Sequence, residues 1–143
     1  MSSLTLELHN RSQFAEALTD DVWIVACLCA AWCDVCCQYR PGFDELAALH
    51  PDKRFVWIDI EDQADVVGDL DVENFPTLLI QHGDTVVFFG AVQPDLRQAN
   101  RLLQAQVAKS DAELHAEALG SADRRAWQKD CNLRERLNEA LGI

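Results

Sequence analysis

Leu4, Leu6 and Leu8 alternate with polar neighbours, which predicts a short first strand. Asn10 or Ser12 then offers a cap for a helix carrying Phe14, Ala17 and Leu18. Val22 to Cys29 is an unbroken apolar run of eight with β-branched content, the pattern of a strand buried on both faces. Ala30-Ala31-Trp32 leads into a second helix from about Cys33 to Leu49, with Pro41 inside it as an expected kink. Phe55 to Ile60 reads as another buried strand, and a short acidic helix follows from about Ala64 to Leu70. Thr77 to His82, a Gly83-Asp84 turn and Thr85 to Phe89 give the clearest hairpin in the chain, ended by Gly90. Pro94 opens a helix whose inner positions are Leu96, Leu102, Leu103 and Val107. This order describes an α/β layer fold with an antiparallel hairpin at one side of the sheet.

The last stretch differs. Ser110-Asp-Ala-Glu113 is a capping-box pattern, and Gly120 can end that helix. Ser121 can cap a second helix running to about Leu141, with Ala126, Leu133, Leu137 and Leu141 inside. These helices must also bury Leu114, Leu119 and Trp127 against the core, a second subunit or a client. The expected organisation is residues 1–109 as the α/β domain and 110–143 as a C-terminal helical extension.

With 24 acidic and 12 basic side chains the formal charge is -12. Such a chain lacks the clustered Lys and Arg that phosphates require, so neither nucleic acid nor an anionic membrane surface is an expected partner. No apolar run reaches the roughly 20 residues of a spanning helix. The N-terminus has neither the basic stretch nor the apolar core of a signal peptide, so a cytoplasmic location is expected. Acids at 59, 61, 62, 65, 69, 71 and 73, with no basic residue between, form the densest charge run. It reads as a solvated face, or as a docking face for a basic partner.

Six cysteines stand at 27, 29, 33, 36, 37 and 131, five of them within eleven residues. A disulfide framework would spread them along the chain, so the cluster points to redox chemistry or a metal. Cys33-Asp34-Val35-Cys36 is a C-x-x-C where a buried strand feeds a helix. A thiol there meets unpaired N–H groups and the positive end of the helix dipole, both of which favour the thiolate. Cys36, one turn deeper on the same face, can resolve a mixed disulfide formed on Cys33. The cysteines are also numerous enough for a Cys₄ zinc site, but Cys27 and Cys29 sit inside the sheet, where four sulfurs do not converge easily, so neither metal nor cofactor is expected. Cys27 and Cys29, on one strand face, read as small buried hydrophobes, with Cys27 alternatively a third redox partner for Cys36. Cys37 reads as filler or as an alternative resolving thiol, and Cys131 as a spare on the tail helix.

The context of the motif is similar to the thioredoxin family. Ala31-Trp32-Cys33-x-x-Cys36 follows a hydrophobic strand, and Pro41 and Asp44-Glu45-Leu46-Ala47 lie in the next helix. Ile58-Asp59-Ile60, Phe75-Pro76-Thr77-Leu78-Leu79, Gly83 and Gly90-Ala91 complete the landmarks, which cover residues 4 to 109. The resemblance implies a thioredoxin-like three-layer sandwich: a central mixed sheet flanked by helices, here with the C-terminal helices added. It implies a cis bond before Pro76, Cys33 as nucleophile and Cys36 as resolving thiol. It also implies a substrate groove made by Trp32, Phe75 and Pro76. The implied function is thiol–disulfide oxidoreduction on protein disulfides, with a thioredoxin-reductase-type electron donor. The alternative is a binding or chaperone-like module of the same fold, and a homodimer through the tail is a further expectation.

The chain departs from the family at five tuning positions. Asp34-Val35 replaces the usual Gly-Pro, and Cys37 stands where a basic residue usually follows. The family's buried acid is Cys27 and the Lys that accompanies it is Trp57, an apolar pair in place of a charged one. No buried carboxylate then remains to take the proton of Cys36, leaving water or the Cys27 thiol. Like-charge repulsion from Asp34 should favour the disulfide, giving a couple at least as reducing as the about −270 mV typical of thioredoxin.

Overall fold

The long apolar run forms β2 (Trp23–Cys29). Successive side chains of a strand point to opposite faces. Ile24, Ala26 and Leu28 therefore join one apolar cluster, and Val25, Cys27 and Cys29 the other. A computed structural model describes residues 3–70, 72 and 74–142. Around β2 it places β1 (Leu4–Thr5), β3 (Arg54–Asp59), β4 (Thr77–His82) and β5 (Thr85–Ala91), in the order β1-β3-β2-β4-β5. β1 and β2 run parallel to β3, whereas β4 is antiparallel to β2 and β5 to β4. This is a central mixed sheet. The β4–β5 hairpin turns at Gly83, whose φ of 57° and contact with the Asp20 carbonyl leave no room for a side chain.

One face carries α2 (Asp34–Leu49) and α4 (Leu96–Val107), with Phe43, Leu46 and Leu103 fully buried. The other carries α1 (Arg11–Ala17) and α3 (Ala64–Val67), both short. The tail forms α5 (Asp111–Ala118), α6 (Ala122–Asp130) and α7 (Leu133–Leu141). Leu133 and Leu137 of α7 are 0 % exposed and belong to the same cluster as Leu6, Phe14, Ile58 and Val86. α7 thus thickens the layer that α1 and α3 cover only in part. Among the described residues no helix is long and apolar enough to cross a membrane.

Several local expectations fail for identifiable reasons. The single helix expected from Ser121 to Leu141 is broken, because Asn132 caps α7 by accepting from the Glu135 N–H. The Asn132 side chain also accepts from Gln81 Nε2 and donates to the Asp84 carbonyl. Ala126, on α6, and Leu119, at the end of α5, are exposed. α4 starts at Leu96 rather than at Pro94, with Asp95 capping it through the Arg97 N–H, and Val107 faces outward. The first strand stops at Thr5, since Leu8 lies in an exposed 3-10 turn at Leu8–Asn10. Cys131, expected as a spare on a helix surface, is buried between α6 and α7, where burial pushes its thiol up to about 11.

The acidic run divides into separate structural tasks. Asp65 pairs with the buried Arg11 guanidinium at 2.7 Å and Asp69 with Arg136 at 2.6 Å. Asp59 and Glu61 are engaged at the site below, and Asp71 and Glu73 lie outside the described residues. Asp44 ties the N-terminus to α2, accepting from the Ser3 N–H at 3.0 Å and from Arg40 Nε at 3.3 Å. Burial pushes its carboxyl up, but the Ser3 hydrogen bonds and the Arg40 charge prevail and hold it below the usual range. A depressed folded-state value contributes stability that is full above the unfolded value of about 3.9 and is lost as pH falls through the folded value. In acid titrations of unfolding free energy, Asp44→Asn should flatten the decline below about pH 5. An unchanged slope would remove Asp44 from the acid response.

Candidate active site

The site is built where β2 ends and α2 begins. Cys33 is the N-cap of α2, with extended backbone, and its carbonyl accepts the Cys37 N–H at 3.1 Å. Its own N–H donates to the Ala30 carbonyl at 3.0 Å, closing the turn that carries Ala31 and Trp32. Asp59, at the end of β3, holds this turn from below. Its carboxylate accepts the N–H groups of Ala31 (2.9 Å), Glu61 (2.8 Å) and Asp62 (3.1 Å). Glu61 in turn accepts from Trp32 Nε1. Neither acid was read from the sequence as more than a landmark or part of a charge run. Each holds the loop that presents the cysteines.

The Trp32 ring is 68 % exposed and meets Phe75 edge to face at 5.6 Å between centroids. The Phe75-Pro76 bond is cis. Pro76 is buried, and its carbonyl accepts the Val92 N–H at 3.0 Å. Phe75 and Cys33 both pack on the cluster that contains Cys36. The structure therefore brings Cys33, Phe75 and Cys36 into one apolar cluster, with Trp32 edge to face on Phe75. Asp34 and Val35 are exposed on the first turn of α2, as is Cys37, whose Sγ lies 3.6 Å from the Ala31 carbonyl.

The sulfur pairing departs from the sequence reading. Cys36 Sγ lies 2.50 Å from Cys29 Sγ, with the Cα atoms 5.9 Å apart. Both are 1 % exposed, while Cys33 is free and partly exposed. The sequence reads Cys29 only as a small buried hydrophobe. The alternation of β2 gives the reason for its role: Cys29 is the last residue of the strand and points into the α2 layer, under the first turn of that helix. The face-sharing of Cys27 and Cys29 was visible in the sequence; the height of α2 above it was not. Cys27 Sγ lies 3.6 Å from Cys29 Sγ.

Cys27 and Trp57 are register partners on β2 and β3 and belong to the same apolar cluster, where an apolar pair is expected in place of the family's charged one. Burial pushes the Cys27 thiol far up, against a smaller pull from Arg40. It stays protonated and is no proton acceptor for Cys36, which leaves water. Arg40 instead stacks its guanidinium 4.8 Å from the Trp57 ring centroid. The buried Tyr39 hydroxyl has no hydrogen-bond partner among the described residues. Burial, then the neighbouring Cys27 and Asp95, push its ionisation up.

With this geometry in place, comparison with known proteins is direct. The sequence model of the Thioredoxin family matches residues 5–110. A thioredoxin H-type of Picea mariana is 32% identical over 110 residues, covering 76% of this chain and 88% of its own. A thioredoxin H-type of Brassica campestris is 36% identical over 89 residues, covering 59% and 70%. Among solved structures, a thioredoxin from Nicotiana alata superposes with a TM-score of 0.61 at 25% identity, covering 73% of this chain and 94% of its own. The thioredoxin of Trypanosoma brucei brucei gives 0.63 at 18% identity, over 76% and 93%. The fold, the cysteine site and the sequence match agree: this chain belongs to the thioredoxin family of thiol–disulfide oxidoreductases.

Proposed function

We propose that the chain is a protein-disulfide reductase in which Cys33 attacks a substrate disulfide and Cys36 resolves the mixed disulfide. One observation carries the reading. Cys33 is the partly exposed thiol at the start of α2, packed on the same apolar cluster as Phe75, and Cys36 is buried in that cluster. Trp32, Phe75 and Pro76 form the groove for an extended substrate segment. Asp34, Val35, Cys27, Cys37 and Trp57 tune the pair: Asp34 adds negative charge next to the nucleophile, and the apolar Cys27 and Trp57 withhold an internal base. Electrons come from a reductase of the type that serves thioredoxins, in a reducing compartment such as the cytoplasm. Residues 110–143 act as an extension of a domain spanning 1–109. The burial of Leu133 and Leu137 supports an intrachain role for them rather than a dimer or client contact.

Insulin reduction under dithiothreitol tests the activity. The protein should bring forward the onset of insulin precipitation in proportion to its concentration. Onset times matching dithiothreitol alone would favour a binding module of the same fold.

A further inference from the structure

We propose that Cys29 is a third redox thiol that takes the disulfide over from the Cys33–Cys36 pair and stores it beneath the surface as Cys29–Cys36. This rests on the assignment of Cys33 as the attacking thiol. Three observations carry it. Cys36 Sγ lies against Cys29 Sγ, 2.50 Å away, while Cys33 is free and partly exposed. Their Cα separation of 5.9 Å lies within the span a disulfide can bridge. The position of Cys29 is set by the strand that carries it, because β2 pairs on both sides and cannot turn Cys29 away without reversing every side chain.

The steps balance as successive exchanges. The Cys33 thiolate attacks a substrate disulfide and expels one substrate thiolate. The Cys36 thiolate attacks Cys33 Sγ, expels the second substrate thiolate and leaves Cys33–Cys36. Substrate has then gained two electrons and the protein has lost two. The Cys29 thiolate next attacks Cys36 Sγ, forming Cys29–Cys36 and expelling the Cys33 thiolate. The proton that Cys29 loses is matched by the one the departing Cys33 thiolate takes up, so this last step is an isomerisation with no net electron transfer. Reduction runs the same way backwards, with Cys33 attacking Cys36 and reopening the disulfide to the surface. The oxidised protein differs from an ordinary dithiol enzyme in one respect: its surface nucleophile is restored while its disulfide is out of reach of solvent.

The test maps thiols in the oxidised wild-type protein. The protein is oxidised with oxidised glutathione, alkylated natively with iodoacetamide, and cut after Trp32 and before Asp34, so that Cys29, Cys33 and Cys36 fall on separate fragments. The expected result is an alkylated Cys33 and a fragment containing Cys29 joined to one containing Cys36. In Cys29→Ala the same oxidation should slow Cys33 alkylation by roughly tenfold or more, because the disulfide then stays on Cys33–Cys36. A wild-type protein with Cys33 joined to Cys36 and Cys29 free would overturn the proposal. So would a Cys29→Ala protein whose oxidised Cys33 is alkylated as fast as the wild type's. Failure of the underlying assignment shows separately, as a Cys33→Ser protein that still reduces insulin.

Discussion

Truncation after Ser110 will leave a protein that is largely unfolded in water, and Leu137→Ala in the full chain will lower the unfolding free energy by about 2–5 kcal/mol. Leu133 and Leu137 are fully buried in the cluster that α1 and α3 cover from one side of the sheet. Those two helices are seven and four residues long, too short to shield Ile24, Leu28, Val56 and Ile58 alone. Truncation also strips the backbone of β5, where Gln128 accepts the Val86 N–H at 2.8 Å and donates to the Val86 carbonyl at 2.7 Å. It leaves the fully buried Gln81 without Asn132 and without the Leu133 N–H that its side chain accepts. A buried polar group left unpaired costs about 1–3 kcal/mol. Two lost leucines and the orphaned polar groups together reach the whole stability of an ordinary domain, about 5–15 kcal/mol. Urea unfolding followed by circular dichroism measures both variants. A truncated protein with an unchanged midpoint would show that the tail does not hold the core. If it also lost a partner in pull-down, the tail would be a binding element instead.

What the sequence made legible follows the range of the interactions. The β4–β5 hairpin was readable because its signal is local: two apolar runs and a Gly83-Asp84 turn between them. The Ser110–Glu113 capping box was readable for the same reason, and both of its hydrogen bonds are present. The break between α6 and α7 was not readable, because Asn132 acts as a cap there with the help of Gln81 and Asp84, some fifty residues away. The acidic run looked uniform in one dimension. In space its members face different partners, Arg11, Arg136 and the turn before Cys33. Cys29 is the most instructive case. Its strand face was legible from alternation alone, but its reach to Cys36 depends on how far α2 lies above the sheet. That is a packing distance, which no periodicity encodes.

The second large effect concerns the two cysteines of the motif. Cys33→Ser will abolish insulin reduction, a loss of roughly three orders of magnitude or more, as when a covalent nucleophile is removed. Cys33 is the cysteine of the C-x-x-C that is both free and partly exposed. A serine hydroxyl there keeps the cap position but cannot attack sulfur at neutral pH, since it does not form the thiolate that exchange requires. Cys36→Ser behaves differently. Cys33 remains competent to attack, so a substrate half becomes attached to it, and the buried thiol that should release it is gone. The expected product is a long-lived mixed disulfide, read as a shifted band on non-reducing electrophoresis that collapses with dithiothreitol. Cys37 decides whether the assignment is complete. It is exposed, directly follows Cys36, and its backbone N–H bonds to the Cys33 carbonyl. If Cys37 resolves, Cys36→Ser will not accumulate the adduct, whereas Cys37→Ser will. Accumulation in Cys36→Ser with normal turnover in Cys37→Ser assigns release to the buried thiol, and the opposite pattern moves it to the surface one.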